Sequence, residues 1–519
     1  MYVHHIRGIY IKATHIDYTH FFFICNMSSS ARTPLIVNDD TNNKKISSPP
    51  YIQRVIFSIF LFFGLCNVYM LRVNLSVAIL PMQKQFNWSS ETKGIILSSF
   101  FFGYLFGQVP GGYIATVYGA KFVFGIGVLC TAILTLLVPL ATTWNLKGEG
   151  STSHVWTLII LRILMGVFES VTYPSLFAFI AKWCPEKERS KMVSFSFSGA
   201  MIGTAIAFPL AGIIISNKSS QIFGGWVGLF YCFGAIGIIW FILYAYFISE
   251  SPETHPGISI EERNYIVNTR GTKTKKKNIV VTKEVWKILF TNKHILALYF
   301  NHFANNWALY TFLSFLPTYL EERLHFNIKS SAIYSVMPYL TLFFFQCLGG
   351  YFADKLIDDK HLTRTSTRIL MESLGNLLPA LALIWLSYVT NATLAFTLMT
   401  LAVGLSGFAY SGYPPVTLDL SPKYSGIIYS ISNTIATVPG VISPALTGII
   451  VKNHTQEEWR VVFFIAAFLY VAGVIVWFFF CKAEVLQELI KVDKLFQEKE
   501  ESNGEKNDGN ELFESGNNA

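Results

Sequence analysis

Charge is scarce in this chain, and so are the signatures of most enzyme chemistries. Only 14% of the 519 residues are Asp, Glu, Lys or Arg, against 52% hydrophobic and 16% aromatic. Mean hydropathy is +0.43, more apolar surface than a soluble domain can hide. The chain has no G-x-x-x-x-G-K-[ST] loop to cradle nucleotide phosphates, no H-E-x-x-H helix to hold zinc and no G-x-S-x-G turn to present a nucleophilic serine. These absences exclude a P-loop ATPase, a zinc protease of that type and an esterase elbow, and they point away from an enzyme altogether. Seven cysteines have no paired loop spacing, and several fall within apolar runs, where they read as small packing residues. No disulfide framework, metal site or cofactor is expected beyond a coupling ion, H+ or Na+.

What the chain has instead is a series of long apolar runs. A membrane-crossing helix needs about 20 such residues, and twelve candidates begin near residues 54, 94, 120, 155, 193, 227, 294, 331, 369, 394, 425 and 460. The expected fold class is therefore an all-α polytopic membrane protein with twelve transmembrane helices. The first 50 residues are polar apart from FFFIC at 21 to 25, which is too short to span, and nothing there has the form of a cleavable signal. Met27 offers a second start.

Topology follows from two independent signals. Lys and Arg cluster in the connections after spans 4 (Lys182, Lys187, Arg189, Lys191), 6 (eight residues from Arg263 to Lys287) and 8 (Lys355, Lys360, Arg364, Arg368), so the even-numbered loops are cytoplasmic. The glycosylation acceptors Asn87, Asn217, Asn391 and Asn453 follow spans 1, 5, 9 and 11, on the other side. Both termini are then cytoplasmic. A fifth acceptor, Asn74, lies inside span 1. The net charge of +8 resides largely in GTKTKKKN and the other cytoplasmic connections, where lipid headgroups account for it and no nucleic-acid partner is implied.

The chain also repeats itself. QVPGGYIA at 108 to 115 returns as QCLGGYFA at 346 to 353, and PLAGIII at 209 to 215 as PALTGIIV at 444 to 451. Matches at nearly one offset, in the second and fifth spans of each half, indicate two six-helix halves of the kind found in rocking transporters. The organisation read from this is a disordered cytoplasmic tail (1–51), a first half (52–250), a basic cytoplasmic linker (251–290), a second half (291–482) and a polar cytoplasmic tail (483–519). A monomer is expected.

Three ionisable residues stand within the spans. Arg72 in MLRVNLSVAILPM lies about eight residues before the expected outer end of span 1, on the order of 12 Å deep, more than a side chain comfortably snorkels. Arg162 and Glu169 share one face of span 4, two turns apart. Such residues cost about 2.5 to 3.5 kcal/mol each on insertion scales, so they face a wet cavity or clamp helices together. Either way one positive charge is left over, and guanidinium groups grip carboxylate or phosphate with paired donors. The expected partner is a small organic or inorganic anion.

MLRVNLSVAILPM (70–82), SSFFFGYLFGQVPGGYIA (98–115), LRILMGVFESVTYPSLFAFIAKWCPEKERSK (161–191), LSFLPTYL (313–320) and ISNTIATVPG (431–440) resemble the solute carrier family 17 branch of the major facilitator superfamily, over residues 52 to 482. The resemblance implies an anion transporter driven by proton, sodium or voltage gradients. It places Arg72 and Arg162 at anion-contact positions and Glu169 at the proton-coupling carboxylate. Tyr173 and Pro174 match a TYP element, where the proline bends or breaks span 4. Met165 stands where some members carry a second span-4 glutamate, Asn305 where some carry arginine, Leu97 where those carry histidine, and Thr116 where the superfamily has an acidic residue.

Further polar candidates are His302, Asn305, Asn306 and Tyr310 on span 7 and Asn67 and Asn74 on span 1, read either as cavity lining or as interhelical hydrogen bonds. Asp354 and Asp419, at the cytoplasmic edge, are expected to gate or brace. The functional reading is a symporter of small anions working by alternating access. The alternatives are a sodium/phosphate-type or urate-type carrier without proton coupling and a non-transporting anion sensor. SSSARTPLI at 28 to 36 is similar to an acidic dileucine sorting signal but has Ala31 at the acidic position, leaving plasma membrane and endolysosomal or vesicle membrane open.

Overall fold

In lipid every backbone polar group must be satisfied within the chain, so apolar runs of this length become helices. The computed structural model describes residues 52–143, 152–185, 189–217, 224–270, 282–421, 423–492 and 494–495, and the described residues contain helices and no strand. The tail at 1–51, with its Met27 and its dileucine-like stretch, lies outside them.

Twelve segments cross the bundle: span 1, Ile52–Phe86; span 2, Ser90–Tyr118; span 3, Ala120–Thr143; span 4, Thr152–Ser170 continued by Thr172–Trp183; span 5, Arg189–Ser216; and span 6, Gly225–Phe247. The second half follows with span 7, Lys293–Glu322; span 8, Ile328–Tyr334 continued by Val336–Asp358; span 9, Arg364–Leu386; span 10, Ala392–Leu405, Ser406–Ser411 and Tyr413–Leu420; span 11, Ser425–Ile450; and span 12, Gln456–Phe480. Each start falls within five residues of the sequence expectation. Ten are long and apolar enough to cross a membrane by composition; spans 2 and 7 complete the twelve. Span 7 is less apolar because nearly all of it is buried in protein, where His302, Asn305 and Asn306 meet partners rather than lipid.

Helix starts are fixed by side-chain caps. Ser89, Asn327, Thr363 and Asn391 accept from backbone N–H groups two or three residues into spans 2, 8, 9 and 10, and Thr455 and Glu458 form a capping box on span 12. Close crossings rest on glycine: an added Cβ on Gly103 or Gly166 would lie 1.9 or 2.0 Å from a carbonyl oxygen of the facing helix. Spans 2 and 4 meet there, which brings Phe100 and Tyr104 beside Arg162 and Glu169.

The repeat is visible in the packing. Span 2 lies against span 11 and span 5 against span 8, the two pairs that an internal two-fold axis exchanges. Spans 4 and 10, fourth in their halves, are both broken. In span 4 the break follows Ser170, whose carbonyl loses its donor because Pro174 has no N–H; in span 10 it precedes Pro414 and Pro415.

The halves close together at the end opposite the termini. Lys84 pairs with Glu321, Lys93 Nζ donates to Glu322 Oε1 at 2.7 Å, and His454 Nδ1 lies 2.8 Å from Glu322 Oε2. The four acceptors Asn87, Asn217, Asn391 and Asn453 are exposed at this same end, while Asn74 is buried. At the other end the polar tail begins differently from expectation. Ala483, Leu486 and Leu489 are buried against the second half, with Leu486 N donating to Leu420 O at 2.9 Å.

Candidate functional site

Span 1 is longer than its apolar run suggests, so Arg72 lies 14 residues from its far end, about 21 Å at ~1.5 Å per residue. Burial of the side chain within the bundle removes snorkelling as an explanation. Arg72, Arg162 and Glu169 are only 5%, 3% and 1% exposed. Arg72 Nε donates to Glu169 Oε1 at 2.6 Å, and Nη2 stands in ion-pair contact with the same oxygen without hydrogen-bond alignment. The guanidinium sits in an aromatic cage, 4.6 Å from the ring centre of Tyr69, 4.9 Å from Tyr104 and 5.2 Å from Phe100.

The ion pair joins two helices. Glu169 pairs across helices with Arg72 and not along span 4 with Arg162, because two turns separate Arg162 and Glu169 by roughly 10 Å along the axis, beyond the one-turn reach of helical side-chain pairs. Arg162 instead stacks over Phe100 at 4.9 Å, its Nη2 donates to the Arg72 carbonyl at 3.4 Å, and its Nη1 lies 3.9 Å from Met165 Sδ. Among the described residues its Nε has no hydrogen-bond partner, and neither does Glu169 Oε2. The constellation carries two positive charges and one negative.

The other sequence candidates separate into two groups. Tyr173 joins the Arg72 cluster through a 2.9 Å hydroxyl contact with Tyr69, and Tyr310 packs on Phe101 at 4.5 Å within electrostatic range of Arg72. Tyr410 and Tyr429, from spans 10 and 11, lie near Tyr69, so both halves contribute phenols to one region. Asn305 and Asn306 are engaged elsewhere. Asn306 Nδ2 donates to Ala436 O of span 11 and Asn305 Nδ2 to Glu372 Oε1 of span 9, both at 2.9 Å. His302 Nδ1 lies 2.9 Å from Ser432 Oγ, and Asn67 Nδ2 donates to its own helix at Phe63 O.

Arg364 and Arg368 approach Asp419 at 3.4 and 3.3 Å, and Arg368 Nη1 also donates to Ser411 O at 2.8 Å. Asp354 has Arg368 and Asp358 as charged neighbours. Glu250, which follows span 6 and was not singled out in the sequence, makes a separate contact in the first half. Its carboxylate accepts from the Ala120 and Lys121 amides at 3.0 and 2.8 Å, caps span 3 and pairs with Lys182 of span 4. Sequence reading also missed Glu372, wholly buried in span 9.

Two duplicated six-helix halves, with broken helices at corresponding positions and a buried charged cluster, are the architecture of a two-repeat membrane transporter. Comparison with known proteins agrees. Residues 61–444 match the model of the Major Facilitator Superfamily. Human sialin is 36% identical over 464 residues, covering 83% of this chain and 90% of sialin, and human vesicular glutamate transporter 2 is 35% identical over 448, covering 83% and 74%. Among solved structures, an inward-facing, occupied bacterial homolog of the human lysosomal transporter Spinster superposes with a TM-score of 0.66 at 15% identity, covering 83% of this chain and 97% of that one. The inward-open E. coli xylose transporter XylE gives 0.63 at 16%, covering 85% and 99%. The chain belongs to the major facilitator superfamily, in the solute carrier family 17 group that includes sialin and the vesicular glutamate transporters.

Proposed function

We propose that this protein is a secondary active transporter of small organic or inorganic anions, with Arg72 and Arg162 as anion contacts and Glu169 as the proton-coupling group. The observation that carries the reading is the surplus guanidinium: one buried carboxylate accompanies two buried arginines, and among the described residues Arg162 Nε has no hydrogen-bond partner. A desolvated, unbalanced positive charge favours an anion with paired acceptor oxygens. The name of the relative vesicular glutamate transporter 2 records an acidic small molecule for that protein, which supports the same charge class here.

The cycle follows from competition for Arg72. Protonating Glu169 removes its negative charge and releases the guanidinium to an anion, and deprotonation on the other side restores the ion pair and expels the anion. The halves alternate between closure at the Lys84–Glu321 and Lys93–Glu322 end and closure at the other. With the termini cytoplasmic and the four acceptor asparagines outside, the closed end is the extracytoplasmic one, in the plasma membrane or an endolysosomal or vesicle membrane. A second reading, sodium-driven uptake without proton coupling, is favoured by Met165. It lies against Arg162, where some family members carry a second glutamate.

The test is uptake by the purified chain in liposomes under imposed pH, sodium or voltage gradients, using labelled phosphate, urate, sialic acid and glutamate with xylose as the neutral control. At least one anion should accumulate and xylose should not. Uptake of xylose with no anion moved would overturn the reading, and saturable anion binding without flux would make the chain a sensor.

A further inference from the structure

The second half holds a buried acid that the anion cycle does not use. Glu372 on span 9 is wholly buried, and Asn305 of span 7 and Asn376, one turn along span 9, both donate their Nδ2 to its Oε1 at 2.9 Å. Asn301, one turn before Asn305, donates its Nδ2 to Ala297 O of its own helix at 3.0 Å. All three amide nitrogens are thus turned to acceptors. The oxygens left over are Glu372 Oε2, Asn301 Oδ1 and Asn376 Oδ1, each buried and, among the described residues, without a hydrogen-bond partner.

The surroundings are shaped around these groups by two glycines. A Cβ at Gly412 of span 10 would come within 2.6 Å of Glu372 Oε2, and one at Gly473 of span 12 would lie 3.0 Å from Asn301 Oδ1 and 3.7 Å from Asn376 Nδ2. Gly412 caps the segment Tyr413–Leu420, and the Tyr413 backbone N–H is directed at the carboxylate. The ionisable neighbours within electrostatic range are Tyr413, Tyr470 and Cys481, none of them cationic at neutral pH. Arg368, one turn earlier on span 9, is committed to Asp419 and the Ser411 carbonyl. Among the described residues no cation pairs with Glu372.

A buried carboxylate without a counter-charge is strongly destabilising, and each buried acceptor without a donor adds to the cost. A proton on Oε2 would neutralise the charge but, as a single donor, would leave at least one of the two amide oxygens unsatisfied. A hard monovalent cation does both, since carboxylate and amide oxygens are its preferred ligands and transporter spans supply such oxygens at broken helices. We propose that Glu372, Asn301 and Asn376, with Asn305 positioning the carboxylate, form a sodium site in the second half. In the anion transporter proposed above this site would couple a sodium ion to the cycle, a role that rests on that reading; the binding itself does not.

The experiment is equilibrium binding of radioactive sodium to the purified full-length protein in choline buffer. Wild type should bind saturably, with unlabelled sodium displacing the label better than potassium. Glu372→Gln should weaken binding about tenfold or more. Asn301→Ala, which removes one oxygen and keeps both amide bonds to Glu372, should weaken it as well and guards against a misfolded Gln variant. Glu169→Gln should retain sodium binding even if proton coupling is lost. Absence of saturable binding to wild type, or binding equally tight in Glu372→Gln and Asn301→Ala, would overturn the site while leaving the Arg72 and Glu169 account untouched.

Discussion

Arg72→Lys should lower anion uptake roughly 10- to 100-fold while the protein still folds and reaches the membrane. The positive charge is kept, so the ion pair with Glu169 can persist. What is lost is the planar guanidinium, which stacks among Tyr69, Tyr104 and Phe100 and presents paired donors. Losing one charge-assisted hydrogen bond to the anion is worth about 1.5–3 kcal/mol, and each ~1.4 kcal/mol is a factor of ten. Arg72→Gln should go further, because it leaves Glu169 buried and unpaired, typically a 3–5 kcal/mol loss. Uptake measured per molecule at the membrane surface separates the two effects. Normal uptake by Arg72→Gln at normal surface expression would mean that Arg72 is structural.

Glu169→Gln should abolish accumulation driven by a pH gradient and keep anion-for-anion exchange. The amide imitates the protonated acid in charge and shape, so Arg72 is permanently available to the anion. Exchange never returns the carrier empty, and therefore never needs Glu169 to deprotonate. Net accumulation does need it. Accumulation against a gradient by Glu169→Gln with only pH imposed would remove Glu169 from the coupling role. Loss of binding and folding together would make the Arg72–Glu169 pair a helix clamp.

These residues were legible in the sequence because charge inside a long apolar run is costly enough to require an explanation, and because two residues seven apart share a helical face. The spans were legible for the same reason. The partner of Glu169 was not, since it depends on how spans 1, 2 and 4 cross, and that crossing is set by the glycine contacts at Gly103 and Gly166. Glu372 was hidden by its surroundings. It follows Arg364 and Arg368 closely, and a span start expected near 369 makes it an interfacial residue. The helix actually begins at Arg364, which places Glu372 two turns in. Asn305 could be assigned to span 7 but not to Glu372, because its partner lies 67 residues away. Glu250 was missed because span 6 appeared to end in a plain loop, whereas its carboxylate folds back onto the start of span 3.

The central claim is that an anion and Glu169 compete for Arg72, and anion binding measured against pH on purified protein tests it most directly. Protonation of Glu169 favours the anion, so wild-type affinity should rise as pH falls through the Glu169 titration, by at most tenfold per pH unit for one linked proton. Glu169→Gln should bind tightly with no such slope. A wild-type affinity independent of pH, or the same slope in Glu169→Gln, would contradict the account.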